Sequence, residues 1–310
     1  MTHWNAEEAA GEHAAHDDRP AEVLAGVHGS DTDTCVVQWA ADEAVRLGAD
    51  LRLVHVIDPG MQFTPYPALM AGAPNLAEDL ERGAETILAA AGEVAHARHP
   101  DLVVHTSVPW GPPGGSLREL STDALRLVIG GSRAAHLERM LLGSVAVPVV
   151  AHARCPVVVV PDGTAVAAPS HVVVGVDGSA GSVVAIETAF EIAAASGAAV
   201  TCVMGWSTEV VLGMVVTESF AKEVPEIEAD CRAVADAVIA PVAARNPGVA
   251  VDVVVRHGNP ADAIIEVAHE VGADVVVVGS RGHGGFVGLL LGSVSRRVVD
   301  HAGRVVIVAH

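Results

Sequence analysis

Two short glycine-serine segments near the end of the chain are where chemistry could sit. Val278-Gly279-Ser280-Arg281-Gly282 is followed, after nine residues, by Gly292-Ser293-Val294-Ser295. This pattern suits a phosphate group. Gly279 and Gly282 let backbone approach a ligand closely and give access to positive φ. Gly292 and Ser293 are expected to open a helix, where free N–H groups and the helix dipole favour an anion. Ser293 and Ser295 offer hydroxyl donors, and Arg281 offers a guanidinium for phosphate or ribose. Earlier, Asp177-Gly178-Ser179 closes an apolar run. That aspartate reads equally as a turn residue and as a carboxylate accepting a hydrogen bond from a ligand's amino group.

Other chemistries lack support. Lys222 is the only lysine, and the chain holds no Gly-Lys-Ser/Thr triplet, so a Walker-type phosphate loop is excluded. A nucleotide here would be held by backbone N–H groups, hydroxyls and arginine. Cys35, Cys155, Cys202 and Cys231 form no C-x-x-C pair, which argues against a zinc knuckle or redox motif. No Ser-His-Asp set, paired carboxylates or metal site is marked by motif context. His13 and His16 lie in an acidic opening stretch read as a solvated, mobile tail over residues 1–20.

The elements that would position these residues follow from hydrophobic period. In the second half, apolar Val-rich runs at 171–177, 200–206, 249–256, 274–279 and 304–309 have the length of strands buried on both faces. Between the first two, Val183, Ile186, Phe190 and Ala193 fall at helical spacing, and Ser179 can cap that helix. A longer helix is expected over roughly 218–245, ended by Pro247-Gly248. Asn259-Pro260 opens another, with Ile264, Ile265 and Ala268 inward. Strict alternation of strand and helix implies parallel pairing through right-handed crossovers. Ligands then bind at the carboxyl ends of the strands, where the strand order reverses.

The chain also repeats itself. Val23–Ser30 reads VLAGVHGS and Val172–Ser179 reads VVVGVDGS; Leu141–Val145 and Leu290–Val294 both read LLGSV, and both pairs are offset by 149 residues. VIGGSR at 128–133 and VVGSR at 277–281 are offset by 148 at the shared GSR. Two domains result, at 21–161 and 171–310, with Gly- and Pro-containing residues 162–170 as linker. His152 and His301 hold equivalent places and are read as closing helices, while Arg296 and Arg297 are read as solvent-facing.

Composition narrows the partners. The chain has 310 residues, 51% hydrophobic and 18% charged, with 38 acidic against 18 basic residues and a net charge of −20. It can fill two cores, but it is a poor match for nucleic acid or an anionic membrane surface. A polar opening stretch and the lack of an apolar run near 18 residues lead to the expectation of a reduced, soluble, cytoplasmic protein.

VVVGVDGS, then VVVGSRG, nine residues and GSVS, resembles the universal stress protein family, and two tandem copies cover nearly all of the chain after the tail. The resemblance implies two three-layer α/β/α domains of the adenine nucleotide alpha hydrolase-like type. Each would hold a five-stranded parallel sheet in the order 3-2-1-4-5. It implies ATP as ligand, with Mg²⁺ carried by the phosphates. Asp177 would meet adenine, as would the backbone at Gly205, beside Met204 and Trp206. Val278, Gly279, Arg281, Gly282, His283, Gly292, Ser293, Val294 and Ser295 would hold ribose and phosphates. It also implies pairing of the two fifth strands, Val157–Val160 against Val305–Val308, and leaves room for a homodimer and for a regulatory protein partner.

The first half departs from this pattern. His28 stands in the place of Asp177. Ala134 follows Gly131-Ser132-Arg133 where glycine is expected, and eight residues, not nine, then separate it from Gly143-Ser144. A methyl where positive φ is needed costs about 1 kcal/mol or more. A shortened loop displaces its N–H groups by up to about 3.5 Å. His28, Gly131, Arg133, Gly143 and Ser144 are therefore expected to form a weakened or lost site. The leading functional reading is an ATP-binding stress-response regulator. The alternatives are a slow ATP hydrolase of the same fold and a nucleotide-independent scaffold or chaperone-like module.

Overall fold

The computed structural model describes residues 21–58, 75–133, 140–141, 143, 145–207, 224–282 and 291–310. The first half runs β1 (Glu22–Gly26), α1 (Asp33–Leu47), β2 (Asp50–Val54), α2 (Leu76–Arg98), β3 (Val104–Ser107), α3 (Pro113–Leu120), β4 (Ala124–Arg133), β5 (Met140–Leu141), α4 (Ala146–His152) and β6 (Val157–Pro161). The second runs β7 (His171–Gly175), α5 (Ala180–Ser196), β8 (Ala199–Trp206), α6 (Val224–Arg245), β9 (Val251–His257), α7 (Pro260–Glu270), β10 (Val275–Gly279), α8 (Ser293–His301) and β11 (Val305–Ala309). Residues 162–170 carry neither helix nor strand. The opening tail and residues 218–223 of the expected long helix lie outside the described residues.

One sheet runs through both halves in the order β3-β2-β1-β4-β6-β11-β10-β7-β8-β9, with β5 attached to β4. Within each half the main strands pair in parallel, as the intervening helices require. The halves meet where β6 and β11 pair antiparallel, Val159 opposite Val306, Val158 opposite Ile307 and Val157 opposite Val308. These runs are buried on both faces, which is why they read as unbroken β-branched stretches rather than alternating ones. Each fully buried valine contributes on the order of 1.5 kcal/mol or more.

Helices cover both faces. Apolar residues of α1, α2, α5 and α6 form one core against the sheet, and those of α3, α4, α7 and α8 form the other. Polar ties also cross between halves. Arg126 on β4 donates to Glu43 of α1 (3.2 Å) and Glu191 of α5 (2.7 Å), and Arg46 donates to Glu191 at 3.1 Å. Helix ends follow local chemistry. Ser179 Oγ accepts from Ser182 N, and Asn259 Oδ1 accepts from Ala261 N ahead of Pro260. The imidazoles of His152 and His301 bond the carbonyls of Pro148 and Arg297 in the last turns of α4 and α8. Burial pushes the Cys155 and Cys202 thiols up to about 12, so both behave as small apolar side chains.

Candidate functional site

At the carboxyl ends of β7, β8 and β10, where the strand order of the second half reverses, lies a cavity of about 460 Å³. Its wall brings together Asp177, Gly205, Val278, Gly279, Arg281 and Gly282. The start of α8 closes it with Gly292, Ser293, Val294 and Ser295. His283 lies outside the described residues. Each position has a local cause. Asp177 follows β7 and is held in an Asx turn, its Oδ1 accepting from Ser179 N (2.9 Å) and Ser179 Oγ (2.6 Å), with Gly178 at φ +82° between them. Gly205 lets β8 pass the start of α7, since a Cβ there would stand 2.5 Å from Pro260 Cα.

Glycine at 279 and 282 is needed for space, not for positive φ, which corrects the sequence expectation. Neither has φ in the left-handed region. A Cβ on Gly279 would stand 2.7 Å from the Gly181 backbone, and one on Gly282 would stand 2.2 Å from Asp177 Oδ2. Gly282 thus lies directly over the carboxylate. Two donors are also already in use. Buried Ser295 donates its hydroxyl proton to Gly279 O at 2.6 Å, and Gly292 N–H donates to Ser280 O at 2.8 Å. These two bonds fasten the end of β10 to the start of α8. Among the described residues, no acceptor takes the N–H groups of Ser293, Val294 and Ser295 at the positive end of the α8 dipole. They are the donors left for an anion.

The first half has a matching cavity of about 470 Å³, lined by His28, Gly131 and Gly143 among others. Its chemistry differs at four places. His28 turns to Asp33, its Nδ1 lying 2.8 Å from Asp33 Oδ1, while Asp33 Oδ2 accepts the N–H groups of His28, Gly29 and Ser30. Burial alone would raise Asp33. The His28 ring and the N–H groups of Gly29 and His28 outweigh it and hold the carboxyl below its ordinary value. The bond to Asp33 in turn raises His28. The carboxylate has therefore moved from the strand end to the helix start, where the second half has Ser182. Third, Val56 lines the cavity at the place of Gly205.

The fourth difference overturns the shortened-loop expectation. Leu127 and Val128 pair with Leu24 and Ala25, as Val276 and Val277 pair with Val173 and Val174. This register places Gly130, not Gly131, opposite Gly279. Gly130 to Gly143 and Gly279 to Gly292 then span the same thirteen residues. The loop is not shorter; the shared Gly-Ser-Arg is displaced one residue along it. In the first half this stretch stays in the sheet. Ser132 and Arg133 pair antiparallel with Leu141 and Met140, and β5 lies against α8 of the other half. In the second half the chain leaves the sheet after Gly279 and turns over Asp177. Arg133 thus ends a strand, and Ser144 lies outside the described residues.

The model of the universal stress protein family matches residues 21–161 and again 169–310. The chain belongs to the universal stress protein family. A universal stress protein of Mycobacterium tuberculosis is 31% identical over 290 residues, covering 93% of this chain and 95% of the relative. Another from Mycobacterium bovis is 33% identical over 305 residues, covering 92% and 95%. Among solved structures, a universal stress protein from Archaeoglobus fulgidus superposes with a TM-score of 0.67 at 20% identity, over 93% of this chain and 97% of that one. This universal stress protein therefore shares the tandem organisation of relatives of nearly its own length. None of its described helices is long and apolar enough to cross a membrane.

Several cavity residues carried no motif signal. Val203 shares a strand face with Gly205 by the two-residue period, and Ile264 was legible only as an inward residue of α7. Ser182 was not marked, and Leu291 appeared only within the repeated LLGSV. Val56 was detectable, because the repeat offset of 149 places it against Gly205.

Proposed function

We propose that the second half binds ATP and that the protein acts as a nucleotide-dependent regulator in a stress response. One observation carries this reading. A carboxylate at the end of β7, a glycine cover above it and three N–H groups at the start of α8 with no acceptor among the described residues surround one cavity. Its volume falls in the range of small-molecule sites. Asp177 would accept from the adenine amine, Gly205 would let the base lie against backbone, and Gly279 to Gly282 would wrap the ribose and phosphates. The N–H groups of Ser293, Val294 and Ser295 would take the phosphate charge, with Mg²⁺ carried by the nucleotide. The first half would serve chiefly as the partner surface for β11. A location in the cytoplasm and a protein partner for the nucleotide-bound form belong to the same proposal.

The test is ligand stabilisation by mass action. A ligand at a hundredfold excess over its Kd adds about 2.7 kcal/mol to the folded state. Millimolar ATP with Mg²⁺ is expected to raise the unfolding midpoint of the wild-type chain and to leave that of Asp177→Ala nearly unchanged. No shift in the wild type would overturn the reading. Sustained hydrolysis faster than about 1 s⁻¹ would move the protein to the enzymes.

A further inference from the structure

The arginines of this chain are nearly all committed. Every arginine whose side chain the structure describes has a carboxylate or carbonyl for its guanidinium, with three exceptions: Arg118, Arg154 and Arg281. These three line one cleft of about 680 Å³. It lies between the halves, outside the cavity assigned to nucleotide. His152 and His310 share its wall, and Glu119 is the one acidic side chain among its described lining residues. In a protein of net charge −20, three exposed guanidiniums on one cleft, without a partner among the described residues, are a concentration of positive charge.

The cleft is built, not incidental. Ser121, fully buried, accepts from Arg154 N at 3.0 Å and donates to Arg118 O at 2.6 Å, which pins the end of α3 to the end of α4. His310 Nε2 bonds Val150 O at 3.0 Å, and Ser280 N donates to Ala309 O at 2.7 Å. These bonds bring Arg281 and His310 of the second half up to α4 of the first. His310 keeps a buried Nδ1 with no hydrogen-bond partner, a nitrogen that can take a proton once a neighbouring anion offsets the charge.

We infer that this inter-domain cleft is a binding site for a small oligophosphate anion, separate from the nucleotide cavity. Guanidinium forks match phosphate oxygens two at a time. Three of them, opposed among the described side chains by Glu119 alone, favour a ligand of several negative charges over a single phosphate. Arg281 lines both this cleft and the nucleotide cavity, so an anion in the cleft would sense whether nucleotide is bound next door. The inference does not depend on that neighbouring site, because Arg118 and Arg154 lie outside it.

The experiment is a calorimetric titration of the full chain with inorganic tripolyphosphate, comparing wild type, the double variant Arg118→Gln/Arg154→Gln, and Gly282→Val. Both arginines are exposed and have no ion-pair partner among the described residues, so the double variant is expected to keep the wild-type unfolding midpoint. The wild type is expected to bind one tripolyphosphate per chain, more weakly as salt rises. The double variant is expected to bind it at least tenfold more weakly while its ATP affinity stays within twofold. Gly282→Val is expected to keep tripolyphosphate binding. No binding to the wild type, or equal binding to the double variant, would overturn the inference. Loss in Gly282→Val alone would assign the anion to the nucleotide cavity. A double variant that loses ATP as strongly as tripolyphosphate would assign the cleft to the phosphate tail of the nucleotide, which also overturns a separate site.

Discussion

The two halves enclose cavities of about 470 and 460 Å³ from strands in the same order and register, yet their walls differ. In the second half, Asp177 ends the first strand, glycine stands at 205, and the chain turns over the carboxylate at Gly282. In the first, His28 is bound to Asp33, Val56 replaces the glycine, and the end of β4 pairs antiparallel with β5. The hollow is a property of the doubly wound sheet, so it survives in both copies. The proposed recognition rests on a few positions that the fold does not require.

The strongest break of this contrast is Gly282→Val. Its Cβ would stand 2.2 Å from Asp177 Oδ2, so the side chain must displace the group proposed to read adenine. ATP affinity is expected to fall by more than about a hundredfold, near 2.8 kcal/mol at 1.4 kcal/mol per tenfold, as followed by equilibrium titration. Asp177→Ala removes one charge-assisted hydrogen bond, worth about 1.5–3 kcal/mol. It should weaken ATP by roughly ten- to a hundredfold and narrow the preference for ATP over GTP. Equal losses for both nucleotides would show that Asp177 does not read the base.

Grafting sharpens the comparison from the other side. His28→Asp alone sets a second carboxylate beside Asp33, and urea denaturation should show a loss of about 1 kcal/mol, the scale of a typical destabilising change. Adding Asp33→Ser restores the layout of Asp177 and Ser182 and should recover most of that stability. If the pair also creates a second ATP site, the displaced loop matters less than the carboxylate.

The smallest effect is a pH dependence confined to the first half. His28 is raised by Asp33, so its contribution is complete below about pH 6.5 and fades as pH rises through the higher folded value. Asp33 is lowered, so its contribution is complete above about pH 3.8 and fades as pH falls through the lower folded value. The pair therefore stabilises most between these limits. The His28 side chain is about two-thirds exposed, so the change is expected to be small. His28→Gln should flatten the upper limb of the stability profile; an unchanged profile would mean that the contact does not persist in solution.

Much of this was legible in residue order. Val157–Val160 and Val305–Val308 announce central strands because burial on both faces leaves no polar alternation. Ser179 and Asn259-Pro260 announce helix starts because each side chain supplies the acceptor a first turn lacks, whereas Gly292-Ser293 opens α8 with no side-chain cap. Positive φ was a mistaken reason to single out the glycines at 279 and 282, since a clash across space with Gly181 or Asp177 leaves no local trace. The eight-residue spacer misled for a related cause. Matching Gly-Ser-Arg to itself hides that strand pairing aligns Gly130 with Gly279. The capture of His28 by Asp33 joins residues five apart, but only the turn between them shows that it closes.

On the proposed function, two equal hollows hold one nucleotide site. Calorimetric titration of nucleotide-free protein with ATP and Mg²⁺ tests it most directly through stoichiometry. One site per chain, abolished by Asp177→Ala combined with Gly282→Val, is the predicted result. Two sites per chain, or a single site that survives those substitutions, would contradict it.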